Sequence, residues 1–86
     1  MPKYSILIKP SAVKEIESVG TKRDRQRIIA LIRKLGDDPR PPGCEKLSVH
    51  DKYRIRQGPY RIVYSIKDRE FVVYVVKIGH RREVYR

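Results

Sequence analysis

The stretch RIRQGPYRIVY, residues 54–64, decides how the chain is read. Charged and apolar residues alternate on both sides of Gly58-Pro59, a period of two that belongs to β-strands, and the Gly-Pro pair breaks the run where a hairpin turns. With a two-residue loop, residues whose numbers sum to 117 face each other. Arg56 then opposes Arg61 and Arg54 opposes Val63 on one face, while Ile55 meets Ile62 and Tyr53 meets Tyr64 on the other. A slip of one residue would set arginines among the apolar set and bury charge, so that register is discounted. Like charges directly across a strand pair are destabilising by something on the order of 0.2–1 kcal/mol. Either this is a solvated face whose arginines pair with acids such as Glu83 or Asp51, or an anionic ligand belongs on it.

Working outward, KYRIRQ (52–57), YRIVYSI (60–66) and EFVVYVVKI (70–78) are three strand-like runs separated by GP and by a charged KDR turn, which predicts an antiparallel meander. Towards the N-terminus, YSILI (4–8) is short and β-prone and stops before Pro10. Ser11 offers an N-cap, and Ala12, Ile16 and Val19 make one apolar helical stripe running to Gly20. Thr21 opens a second helix with Asp24 in a capping-box-like position. Ile28, Leu31, Ile32 and Leu35 share its inner face, and Gly36 closes it as a C-cap. The segment DDPRPPGCEK (37–46) carries three prolines and a glycine and is expected to be a loop with little regular structure. The expected order is βααβββ: a single α+β domain over residues 1–86, with two N-terminal helices packed on one face of a small, mostly antiparallel sheet.

Composition narrows the function. The chain has 86 residues and a net charge of +11, from 21 Lys and Arg against 10 Asp and Glu. Residues 52–86 hold ten of those cations against three acids, so the C-terminal part is the expected anion-binding region. Nucleic acid is the leading partner for such a charge; a merely soluble basic surface is the plain alternative. Cys44 alone excludes an internal disulfide, and with only His50 and His80 the chain lacks a usual zinc ligand set. Neither metal nor cofactor is expected. The longest apolar run, FVVYVV (71–76), is far short of the roughly 20 residues of a membrane helix. The N-terminus has no secretory signal pattern, so a cytoplasmic protein without a membrane role is expected.

Past the last strand run, Gly79 precedes HRREVYR (80–86). A glycine there can turn the chain out of the sheet and bring His80, Arg81, Arg82 and Tyr85 near the strand arginines, or the segment is a plain terminal tail. Tyr74, Val76 and Ile78 alternate along the last run and read as sheet-face or core contacts. Cys44 reads as packing, with no charged set to activate its thiol.

The run YRIRQGPYRIVYSI (53–66) followed by VVYVVKIGHRREVY (72–85) resembles the RelE side of the RelE/ParE toxin superfamily, small basic toxins of prokaryotic toxin–antitoxin pairs. The resemblance implies a ribosome-dependent endoribonuclease that cuts messenger RNA in the ribosomal A site and is held by a cognate antitoxin in a hetero-oligomer. It places the family's basic strand residues on Arg54 and Arg56, its hairpin arginine on Arg61, its arginine after the last strand on Arg81, and its C-terminal tyrosine on Tyr85. Some members carry lysines where this chain has Arg54 and Arg56, and arginine, effectively always protonated, makes a poor general base.

Metal-independent cleavage has the RNA's own 2′-hydroxyl attack the adjacent phosphate, which leaves a 2′,3′-cyclic phosphate and a 5′-hydroxyl. Arg61 is then expected to hold the scissile phosphate, with Lys52, Arg54, Arg56 and Arg82 binding the RNA backbone. Arg81 is the candidate at the leaving oxygen and Tyr85 for base stacking or proton transfer. Lys52 is also a possible base if its neighbours depress its pKa, and His80 is a secondary candidate. Two rivals share the residues: a ParE-like toxin directed at DNA gyrase, and a non-catalytic RNA- or ribosome-binding module.

Overall fold

The computed structural model describes residues 3–48 and 51–80. Strand β1 (Ser5–Ile8) leads into helices α1 (Pro10–Glu17) and α2 (Lys22–Leu35), and β2 (Glu45–Lys46), β3 (Lys52–Gln57), β4 (Tyr60–Lys67) and β5 (Val72–His80) follow. They form one five-stranded sheet in the order β1-β5-β4-β3-β2. Strands β2 to β5 are antiparallel neighbours, whereas β1 lies parallel to β5, from Ser5 opposite Val72 to Ile8 opposite Val75. The two helices pack on one face of the sheet, as expected.

The apolar periodicities meet in one core. Ala12, Ile16 and Val19 come from α1 and its end, Ile28, Ile32 and Leu35 from α2, and Tyr53, Ile55, Ile62, Tyr64, Ile66, Val73, Val75 and Ile78 from the sheet. Thr21 caps α2 as expected, its hydroxyl accepting from Asp24 N at 3.1 Å.

Other local expectations need correction. Helix α1 is capped by Lys9, not Ser11, because Pro10 fills the first helical position, where its missing N–H costs nothing. The helix stops at Glu17, before Gly20. Gly36 does follow α2, but with a right-handed φ of −67°. Its lack of a side chain serves close packing instead: a Cβ there would stand 3.0 Å from the Tyr4 carbonyl oxygen, and Tyr4 N donates to Gly36 O at 2.8 Å. Residues Asp68–Glu70 form a 3-10 turn and Phe71 takes φ 54°, so the last strand starts at Val72, two residues later than its β-prone run.

The proline segment is more ordered than its composition suggests. It contributes edge strand β2, and it is clasped to the sheet. Tyr64 Oη donates to Pro39 O at 2.7 Å, and the Arg40 guanidinium grips Asp68 through two bonds of 3.2 and 2.9 Å. Arg40 Nε also reaches Tyr53 Oη at 3.2 Å, and Tyr4 Oη donates to Asp68 at 2.7 Å. The bonds from Arg40 and Tyr4 hold the Asp68 carboxyl down at about 2, while burial pushes the Tyr64 phenol up.

Strand β5 carries a bulge. Val63 pairs with Lys77 but Tyr64 pairs with Val75, so Val76 is an extra residue. Val73 and Val75 point into the core before it and Ile78 after it. Tyr74, Val76 and Ile78 therefore do not share one face. Beyond Val75, where β1 has ended, Glu15 of α1 serves the outer edge of β5: its carboxylate accepts from Ile78 N and pairs with Lys77 Nζ, each at 2.9 Å.

Candidate nucleic-acid interface

The hairpin at the centre of the sheet turns as its residues predict. Gly58 has φ +59° and Pro59 a negative φ by its ring, the pattern of a II′ turn, which suits the strand twist. Gln57 therefore faces Tyr60, and Arg56↔Arg61, Ile55↔Ile62, Arg54↔Val63, Tyr53↔Tyr64 and Lys52↔Ser65 follow in register. The odd residues of β3 and the even residues of β4 enter the core under the helices. Lys52, Arg54, Arg56 and Arg61 are left together on the opposite face.

These cations sit at different depths. Arg56 is exposed, and Lys52 is half-buried at the far end of the hairpin. Arg61 is only 3% exposed, contrary to a fully solvated arginine face. It stands between Arg56 on β3 and Gly79 on β5 and lines, with Arg56, Gly58, Pro59 and Tyr60, a cavity of about 260 Å3. A guanidinium in such a low-dielectric setting interacts with an anion more strongly than one in bulk water. Arg54 is also largely covered, its side chain 14% exposed, and Nη2 lies 3.1 Å from the Glu45 carboxylate. Glu45 is a partner that the sequence does not suggest; of the two acids it does suggest, Asp51 pairs with Lys67 at 3.1 Å, and Glu83 lies outside the described residues.

Gly79 does not turn the chain out of the sheet, because it remains within β5 opposite Arg61. His80 continues the strand opposite Tyr60, with the two rings edge to face at 5.8 Å. Both rings line a cavity of about 410 Å3 with Lys14, Ser18 and Val19 of the α1 segment, on the helix side of the sheet. His80 is thus separated from the arginine face. Arg81, Arg82 and Tyr85, like His50, lie outside the described residues. The residue that sequence reasoning missed is Glu45. Its two-residue strand sits inside a proline-rich segment and gives no periodic signal.

A basic sheet face opposite a two-helix layer, on a chain of this size, is the α+β architecture shared with the small RelE toxins. Residues 6–85 match the family model described as ParE toxin of type II toxin–antitoxin system, parDE, and the chain belongs to that family. Within the wider superfamily it is RelE-like. A RelE-like toxin protein of Escherichia coli is 27% identical over 81 residues, covering 92% of this chain and 84% of that protein. A chain of the archaeal RelE–RelB complex from Pyrococcus horikoshii OT3 superposes with a TM-score of 0.82 at 28% identity, over 92% of this chain and 96% of that one. A chain of the intact E. coli RelBE toxin–antitoxin complex gives 0.78 at 25% identity, over 90% and 95%.

Proposed function

We propose that this toxin is a ribosome-dependent endoribonuclease that cuts messenger RNA in the ribosomal A site and so stops translation. The observation that carries the reading is the arginine face: Arg56 and Arg61 directly opposite each other across the hairpin, with Arg54 and Lys52 in the same row. Like charges held in register cost stability unless an anion joins them, and an RNA backbone supplies one phosphate per nucleotide.

In this mechanism the 2′-oxygen attacks the neighbouring phosphorus, the bond to the 5′-oxygen breaks, and a proton moves from the first oxygen to the second. Arg61 binds the scissile phosphate in the cavity that it shares with Arg56, neutralising the charge that builds on the non-bridging oxygens. Lys52 and Arg54, with Arg82, track the backbone. Arg81 and Tyr85 act at the leaving oxygen and in base stacking or proton transfer. The ribosome aligns the message for in-line attack, so free RNA is a poor substrate. The toxin works in the cytoplasm and is neutralised by a cognate antitoxin, the kind of partner that RelB is in the related complexes.

The test adds purified protein to translating ribosomes and maps messenger RNA ends, with ribosome-free RNA and Arg56→Ala, Arg61→Ala, Arg81→Ala and Tyr85→Ala proteins alongside. Cuts confined to the A-site codon, with a rate loss of about 100- to 1000-fold in Arg61→Ala, are expected. Intact message despite ribosome binding would leave a binding module. The ParE description of the matching family favours a second reading, a toxin directed at DNA gyrase. Intact message without ribosome binding, together with inhibited gyrase supercoiling, would establish it.

A further inference from the structure

Glu45 lies against the arginine face. Strand β2 sets it directly opposite Arg54, and its carboxylate meets the guanidinium at 3.1 Å. A carboxylate and a phosphate offer a guanidinium the same pair of oxygens, so they compete for the same N–H donors. Other acids with assigned partners are committed elsewhere: Asp51 to Lys67, Asp68 to Arg40, Glu15 to Lys77. The strand that carries Glu45 can also give way. It is two residues long, lies at the sheet edge, and has both residues exposed. Arg54 is largely covered, but the Glu45 side chain is 53% exposed, so it can swing off into water when a backbone phosphate takes its place.

We infer that Glu45 restrains the RNA face: it occupies Arg54 as an internal phosphate mimic, and RNA must displace it before Arg54 joins the bound backbone. The inference rests on the RNA-directed reading above. Glu45 would then set both the affinity and the salt dependence of RNA binding, holding a strongly cationic face back from weak, indiscriminate contacts.

Binding of a fluorescent oligouridine, titrated at a series of salt concentrations, tests this with the wild-type chain, Glu45→Gln, Glu45→Ala, Glu70→Gln and the double variant Glu45→Gln/Arg54→Ala. Glu70 lies in the exposed turn before β5, so its neutralisation makes the same change in net charge away from Arg54. Glu45→Gln and Glu45→Ala are expected to bind roughly two- to fivefold tighter. Their slope of log K against log salt should steepen by about 0.7, the value for one added phosphate contact on a single strand. Glu70→Gln should leave the slope unchanged, and the double variant should lose the added steepness. An unchanged slope in both Glu45 variants, or an equal change in Glu70→Gln, would overturn the restraint. A wild-type chain that binds no oligouridine would overturn the restraint, and one that also leaves ribosome-bound message uncut would overturn the RNA-directed function on which it rests.

Discussion

Arg54, Arg56 and Arg61 share one sheet face but not one environment, and the difference comes from what stands opposite each. Arg56 faces solvent, Arg54 faces Glu45, and Arg61 lies between Arg56 and the bare backbone of Gly79. Strand parity puts all three on the same side, which the sequence shows. Their depth depends on neighbours from β2 and β5, which it does not. A second residue-scale consequence concerns Asp68. Its carboxyl sits at about 2 when folded, against an unfolded value of about 3.9, so its contribution to stability is fully present above the unfolded value. It is lost as pH falls through the interval down to the folded value. Asp68→Asn is therefore expected to melt at a lower temperature than the wild type near neutral pH, with the gap closing below pH of about 2. Melting curves across that range, followed by circular dichroism, check this; a gap that stays constant with pH would exclude the ionised clasp.

At the scale of elements, helices α1 and α2 and the β3–β4 hairpin follow from local pattern, while the joints between elements do not. Gly36 permits α2 and the start of β1 to touch. In Gly36→Ala the new Cβ meets the Tyr4 carbonyl, with an expected cost of about 1–3 kcal/mol in urea denaturation. Glu15 takes the place of a strand neighbour along the outer edge of β5. Glu15→Ala removes the acceptor for Ile78 N and the partner of Lys77, for an expected loss of about 1–3 kcal/mol, and Glu15→Gln should recover part of it. Ile28, fully buried under the sheet, should lose about 2–5 kcal/mol as alanine, the ordinary result of an unfilled core cavity.

For the molecule as a whole, the RNA-directed reading together with the +11 charge predicts an association with RNA that depends strongly on salt. Replacing exposed Arg56 by alanine should weaken binding to all single-stranded sequences alike. It should also lower the salt slope by about 0.7, as read from affinity titrations on two oligonucleotides of different composition. A sequence-selective loss would mean that Arg56 reads a base rather than a phosphate.

The sequence by itself determined the order of the main elements, the hairpin register around Gly58-Pro59 and the row of Lys52, Arg54, Arg56 and Arg61. Each of these follows from a short-range period or from turn chemistry, which neighbouring residues carry within themselves. Tertiary structure alone decided that β1 runs parallel beside β5, that Val76 bulges, that His80 turns to the helix side, and that Glu45 meets Arg54. Those outcomes depend on which surfaces come together across long separations in the chain. There, core packing and the need to satisfy buried polar groups outweigh local preference.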